Sequence, residues 1–333
     1  MLYEPDINEN ELLNFSPKTI DLLLKDHTTQ KNIFWASDSY QALGKGYQYF
    51  DPITIESVAS PEHTRIIRPR AVKSKDEQVV RTRDKAEVFT PSWLCNEQNN
   101  LIDEAWFGTK ASFNRVDPVT HMWETNENPI TFPKEKTWKQ YVRATRMEIT
   151  CGEAPYLVSR YDTTTGEPIL PLYRRIGVLD RKLRIISENA TTSEEWLKMA
   201  QTAYKSIYGF EWQGDNLLLA RESLLISFIE YYFDRFGILP KDTSIEYIAY
   251  IVSWNIWQMD GLKGVIPLSC RNWEEGRVQT LFGKVKQNRA CPGCEQNDIY
   301  KHKGIYCLLR DWGRKDPNTG ENNRKIRFVD LIK

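Results

Sequence analysis

The chain has no net charge. Its 333 residues carry 45 Lys and Arg against 45 Asp and Glu, so no field of one sign covers it, and any nucleic-acid surface must be a local patch. It has no apolar run approaching membrane-spanning length, which argues against a membrane protein. The opening Met1-Leu2-Tyr3-Glu4-Pro5-Asp6 lacks the basic and apolar regions of a signal peptide. The six cysteines form no regular secreted framework, and three of them cluster with a histidine, which points to a reducing compartment. The expectation is a soluble cytoplasmic protein without membrane partners. Sixteen prolines are present and no two are adjacent, which excludes any rigid turn built on paired prolines.

What is present is organised around Met147-Glu148-Ile149-Thr150-Cys151-Gly152-Glu153-Ala154-Pro155-Tyr156-Leu157. A carboxylate closes a short apolar strand, and a small-residue turn with one glycine follows. Such a turn brings backbone N–H groups close to a ligand, and the acid at the strand end can accept from a ligand donor. Alone, the pattern fits an ordinary turn equally well. A second pattern, Ser206-Ile207-Tyr208-Gly209-Phe210-Glu211, also ends an apolar run in a carboxylate, and a helix with an Asp215-Asn216 start comes next. An acid at the end of a second strand is what a nucleoside-binding α/β sheet uses to hold ribose hydroxyls. The two turns support each other.

Together these segments resemble the S-adenosylmethionine-binding part of amino-methylating DNA methyltransferases, as in the M subunits of restriction–modification systems. That family joins a phenylalanine to Thr-Pro, and Ala86-Glu87-Val88-Phe89-Thr90-Pro91 fits. Its glycine motif is matched at Glu148, Thr150, Cys151, Gly152, Tyr156 and Leu157, with Ala154 in place of the second glycine. Its ribose acid falls on Glu211 and its later strand-end Asp on Asp260. The four motifs occur in the family's order, over roughly residues 81 to 265. The resemblance implies that Phe89, Thr90, Pro91, Glu148, Thr150, Cys151, Gly152, Tyr156, Glu211 and Asp260 bind the cofactor, with Glu148 at its amino-acid part, Glu211 at its ribose and Asp260 near its adenine. The family's Asn/Asp-Pro-Pro-Tyr/Phe turn holds the target amino group and stacks the flipped base. That turn is missing here, so the catalytic residues are unassigned; Trp312 and Phe328 are the rings left to consider.

The implied fold class is α/β: a partial Rossmann-like methyltransferase sheet, an α+β lead-in and a small zinc-binding insertion. Residues 1–80 form the lead-in, where Ser16-Pro17 starts a helix and no chemistry is visible. Residues 81–147 form a helical lead-in carrying the Phe-Thr-Pro motif, 148–269 the cofactor-binding core, and 270–333 a zinc-ribbon-like segment with a final strand in the sheet. Between Arg65 and Lys85, eight basic residues stand among twenty-one. That reads first as a solvated charged loop and second as a phosphate contact. Trp106, Trp123 and Trp138 read as packing before base stacking, and a second mixed-charge stretch includes Arg174, Arg175, Asp180, Arg181, Lys182 and Arg184. Helices are expected from a Ser193 cap to Ser206, up to Gly237, and from a Ser244 cap to about Trp254.

The last segment has its own pattern, Cys291-x2-Cys294-x7-His302-x4-Cys307. Four thiolate and imidazole ligands in seventeen residues, with Pro292-Gly293 as a knuckle turn, suit tetrahedral zinc better than redox or nucleophilic use. Cys270 is a spare ligand if His302 points away.

Two functions follow as expectations. The first is a methyltransferase-like subunit of a restriction–modification or defence system. It would bind S-adenosylmethionine and DNA for methylation of an exocyclic amino group, adenine N6 before cytosine, beside a second methyltransferase, specificity or restriction subunit. The second is a non-catalytic nucleotide- or DNA-binding module with a degenerate fold of the same kind.

Overall fold

A computed structural model describes residues 2–60, 65–85, 90–272, 277–280, 283–286, 290–315, 317, 320 and 322–332. At its centre is a parallel sheet of three strands, Arg146–Glu148, Ile207–Glu211 and Ile256–Gln258, lying side by side in chain order. All five residues of the central strand are buried: Ile207 belongs to the main core shared with the helices, while Tyr208 and Phe210, pointing to the opposite face, pack with Leu309 and Phe328 of the C-terminal segment. Helices Val178–Asn189 and Ser193–Lys205 connect the first strand to the second, and Gly214–Phe236 and Asp242–Asn255 connect the second to the third. Glu148 is level with Gly209, and Glu211 with Gln258. Glu211 therefore stands two residues, about 7 Å, beyond Glu148 along the strand direction.

Helix boundaries follow side-chain chemistry. Thr192, one residue before the expected cap, accepts the Glu195 N–H at 3.1 Å and starts the Ser193–Lys205 helix. Gly237 ends the long helix in the left-handed region at φ 69°, where glycine has no Cβ penalty. The helix expected from a Ser244 cap begins earlier, at Asp242, with Lys241 at the N-cap position and no side-chain cap.

The second mixed-charge stretch is interior apart from Arg174, which is exposed. Arg175 meets Glu230 at 2.6 Å, Arg181 meets Asp103 at 2.5 Å, and Asp180 accepts the Ser159 N–H at 2.7 Å. Each charge is taken out of water only because a partner replaces its hydration.

Two expectations of architecture are corrected. Within residues 2–60 the lead-in has helices and isolated bridges and no strand among the described residues. It shares one hydrophobic core with the sheet, running from Ile7, Leu12 and Trp35 to Leu225 and Ile256. The final strand, Asn322–Arg327, pairs antiparallel with Leu308–Lys315 and does not join the parallel sheet. Trp106 packs edge-on against Phe107 and Tyr141. Among the described residues, no helix is long and apolar enough to cross a membrane.

Candidate ligand cleft and metal centre

Beyond Glu148 the chain climbs alongside the longer central strand. The Cys151 N–H donates to the Phe210 carbonyl at 2.8 Å, and the Gly152 N–H donates to Glu211 Oε2 at 2.9 Å. The turn is wound tightly: Thr150, Gly152 and Ala154 all have positive φ, at 46°, 54° and 62°. Only glycine adopts that region without a steric cost. Nothing lies within 4 Å of a Cβ built on Gly152, so backbone conformation and not crowding calls for glycine there. Ala154 occupies a glycine-like conformation as a fully buried alanine. Its methyl group does not line the cleft.

The cleft has a volume of about 1100 Å³, at the upper end of ligand sites. Glu148 and Glu211 stand at its floor. Glu211 Oε1 accepts the Gln213 N–H at 3.1 Å, and Glu148 Oε2 accepts the Leu157 N–H at 3.2 Å. Burial pushes both carboxyls up, Glu148 well above the usual carboxylate range, and these backbone donors only partly offset it. Each oxygen keeps a further lone pair with which to accept from a ligand hydroxyl or amine.

A second cluster forms in the chain that follows the third strand. Ligand atoms of Cys270, Cys291, Cys294 and His302 all fall within 4.8 Å of one another, an arrangement that can hold a metal ion. The three sulfurs lie 3.6, 3.7 and 3.6 Å from His302 Nδ1. Burial opposes ionisation of Cys291, but N–H groups of Lys303 and Cys294 outweigh it and bring this thiol down to about 6. Two glycines allow the approach: a Cβ on Gly293 would stand 2.7 Å from His302 Nδ1, and one on Gly304 would stand 2.8 Å from Cys270 Sγ.

Comparison with protein-family models, curated proteins and solved structures finds no match.

Of the residues singled out in the sequence, Thr90, Glu148, Thr150, Cys151, Gly152, Tyr156 and Glu211 line the cleft. Pro91 is instead the N-cap of helix Ser92–Phe107, and Phe89 lies outside the described residues. Asp260 is not brought to the cleft. It organises the turn that follows the third strand, accepting the Leu262 N–H at 3.1 Å and pairing with Lys263 at 3.3 Å. Cys307 is likewise not in the metal cluster: its thiol donates to the Gln258 carbonyl at 3.4 Å, among Trp257, Phe210 and Phe328. Cys270 takes the fourth position while His302 stays in place. Trp312 and Phe328 pack in the core beside the third strand and do not line the cleft.

One wall of the cleft carries no motif in the sequence. Tyr49, from the lead-in, accepts a hydrogen bond from Trp212 Nε1 at 3.0 Å, and both rings line the cleft. Trp212 directly follows Glu211 and was open to inspection; nothing local to Tyr49 marks it.

Proposed function

We propose that the cleft binds S-adenosylmethionine and that the chain is the cofactor-binding part of a DNA amino-methyltransferase system, with adenine N6 the favoured target. The observation that carries this reading is the pair of buried glutamates at adjacent parallel strand ends, framing a positive-φ turn at the floor of one cleft. The lining suits the cofactor: two carboxyls, which a bound ammonium would hold ionised against their burial, for its ammonium and hydroxyl groups, and the Tyr49 and Trp212 rings as an aromatic wall for its purine. The cofactor would supply an electrophilic methyl group, and these residues would bind and orient it.

Glu211→Ala should weaken S-adenosylmethionine binding by about 1–3 kcal/mol, the range for loss of a charged hydrogen-bond partner. Calorimetry that finds no binding to the wild type, or equal binding to the variant, removes the cofactor assignment.

The metal is assigned as zinc. Bond lengths of about 2.3 Å to sulfur and 2.05 Å to nitrogen at the tetrahedral angle give an S···N edge of about 3.6 Å, which the three observed separations match. Three cysteines and one histidine make a closed, structural set. Methyl transfer itself is assigned to residues of a second methyltransferase subunit, with specificity or restriction subunits as further partners, because neither proposed ring reaches the cleft. The same observation favours the second reading, a non-catalytic module that keeps the fold for nucleotide or DNA recognition.

A further inference from the structure

The cleft continues past its mouth. Arg70 and Arg83 line both the cleft and a shallower groove of about 510 Å³, whose remaining lining is Lys75, Gln78, Val79 and Thr82. Apart from Arg70, these residues belong to helix Lys75–Lys85. Their spacing is i, i+3, i+4, i+7 and i+8, which places them on one face.

That helix is held in place by polar contacts. Arg81 turns inward, nearly fully buried, and pairs with Asp215 at 2.7 Å at the start of helix Gly214–Phe236. Gln78 Nε2 donates to the Arg70 and Lys73 carbonyls at 3.0 Å each, and the Arg70 guanidinium donates to Thr82 Oγ1 at 2.8 Å. The helix's two valines, Val79 and Val80, are 63% and 47% exposed, so no buried apolar stripe accounts for its position. Its three acids, at 76, 77 and 84, are off the groove positions 75, 78, 79, 82 and 83, and Glu77 is engaged by Arg68 at 3.0 Å and by the Ser74 N–H at 2.8 Å. The groove face is therefore basic, shallow and continuous with the cleft.

We propose that this face contacts the DNA phosphate backbone and leads the substrate strand into the cleft. This rests on the reading of the cleft as a methyltransferase site. Eleven residues at about 1.5 Å each give roughly 16 Å, enough to run past about five phosphates of one strand. Phosphates are the occupant favoured by charge, since among the described residues that line the groove Arg70, Lys75 and Arg83 are cationic and none is a carboxylate.

The test is Lys75→Glu combined with Val79→Glu. Both positions are on the groove and neither lines the cleft, and far-ultraviolet circular dichroism checks that the helix content is kept. Anisotropy of a fluorescently labelled DNA duplex, titrated with protein across a salt series, should show affinity falling about tenfold at low salt and the log–log salt slope shrinking by about 1. Calorimetry should find S-adenosylmethionine binding unchanged. Wild-type protein that fails to bind the duplex at low salt, or a double variant that binds it as the wild type does, overturns the groove assignment. Loss of the cofactor reading alone, with duplex binding still responding to the variant, leaves the phosphate contact standing and removes only its link to methyl transfer.

Discussion

At the scale of single residues, the molecule treats two glutamates of one helix in opposite ways. Glu230 is gripped by Arg160 at 2.8 Å and Arg175 at 2.6 Å, and although burial opposes ionisation these cations hold it below the usual range. Eight residues earlier, Glu222 is fully buried with neither oxygen hydrogen-bonded, as is Glu9 from the first helix. Burial pushes Glu9 up to about 8 and Glu222 well above its normal value; Glu9 and then Asp6 add to the rise at Glu222 and Asp6 to that at Glu9, while Arg65 opposes the rise at Glu9 and Arg160 at Glu222. A carboxyl whose folded pKa is raised stabilises the fold fully below its unfolded value of 4.5. That contribution is lost as pH rises through the folded value, because the native state then holds a proton the unfolded state has released. Urea midpoints should accordingly fall for the wild type between about pH 5 and pH 9. Glu9→Gln should flatten the slope and be more stable than wild type by at least about 1 kcal/mol near pH 8.5. An unchanged slope in the variant would mean that Glu9 is ionised and solvated in the native protein.

At the scale of elements, the metal cluster ties together pieces that secondary structure alone does not connect. Cys270 is the second residue of a short 3-10 turn after the third strand, Cys291 and Cys294 flank the start of a five-residue helix, and His302 lies in the loop beyond. Such small elements bury too little to order themselves, so ligand bonds would supply much of their stability. Protein purified without a histidine tag should contain about one equivalent of zinc. Cys270→Ser should lose it, leaving a three-ligand remnant, whereas Cys307→Ser should keep it and show only a modest loss of stability. Retention of metal by Cys270→Ser together with loss by Cys307→Ser would restore the order that the sequence spacing suggested.

At the scale of the whole molecule, the cleft is a joint product of distant segments. Tyr49 comes from the lead-in, Thr90 from the entry to helix Ser92–Phe107, Glu148 and Glu211 from two strands, and Arg83 from the charged helix. A base-flipping methyltransferase also needs a polar acceptor for the target amino group and a ring against the extruded base. The chain has no Pro-Pro turn to place them. The isolated chain should therefore transfer no methyl groups from labelled S-adenosylmethionine to unmodified DNA above background, and activity should require a partner subunit. Sequence-specific methylation by the mass-verified polypeptide alone would show that other residues of the cleft make a working site.

The sequence by itself determined the periodic parts. The apolar run closing in Glu211 marked the buried central strand, the carboxylate and small-residue turn at Glu148 marked the end of its shorter, partly exposed neighbour Arg146–Glu148, and Gly237 marked a helix end, because these signals arise from neighbouring residues. Cys291, Cys294 and His302 were legible for the same reason, their spacing being a property of one short loop. Tertiary structure decided the rest. Whether Cys270 or Cys307 completes the cluster depends on which thiol the turn at Gly304 admits and which one the core around Trp257 absorbs. Whether a charged stretch is solvated or interior depends on partners far along the chain: Arg175 reaches Glu230, and Arg81 reaches Asp215. Desolvation and pairing depend on what surrounds a group in space, so no pattern of adjacent residues could keep Asp260 out of the cleft or bring Tyr49 into it.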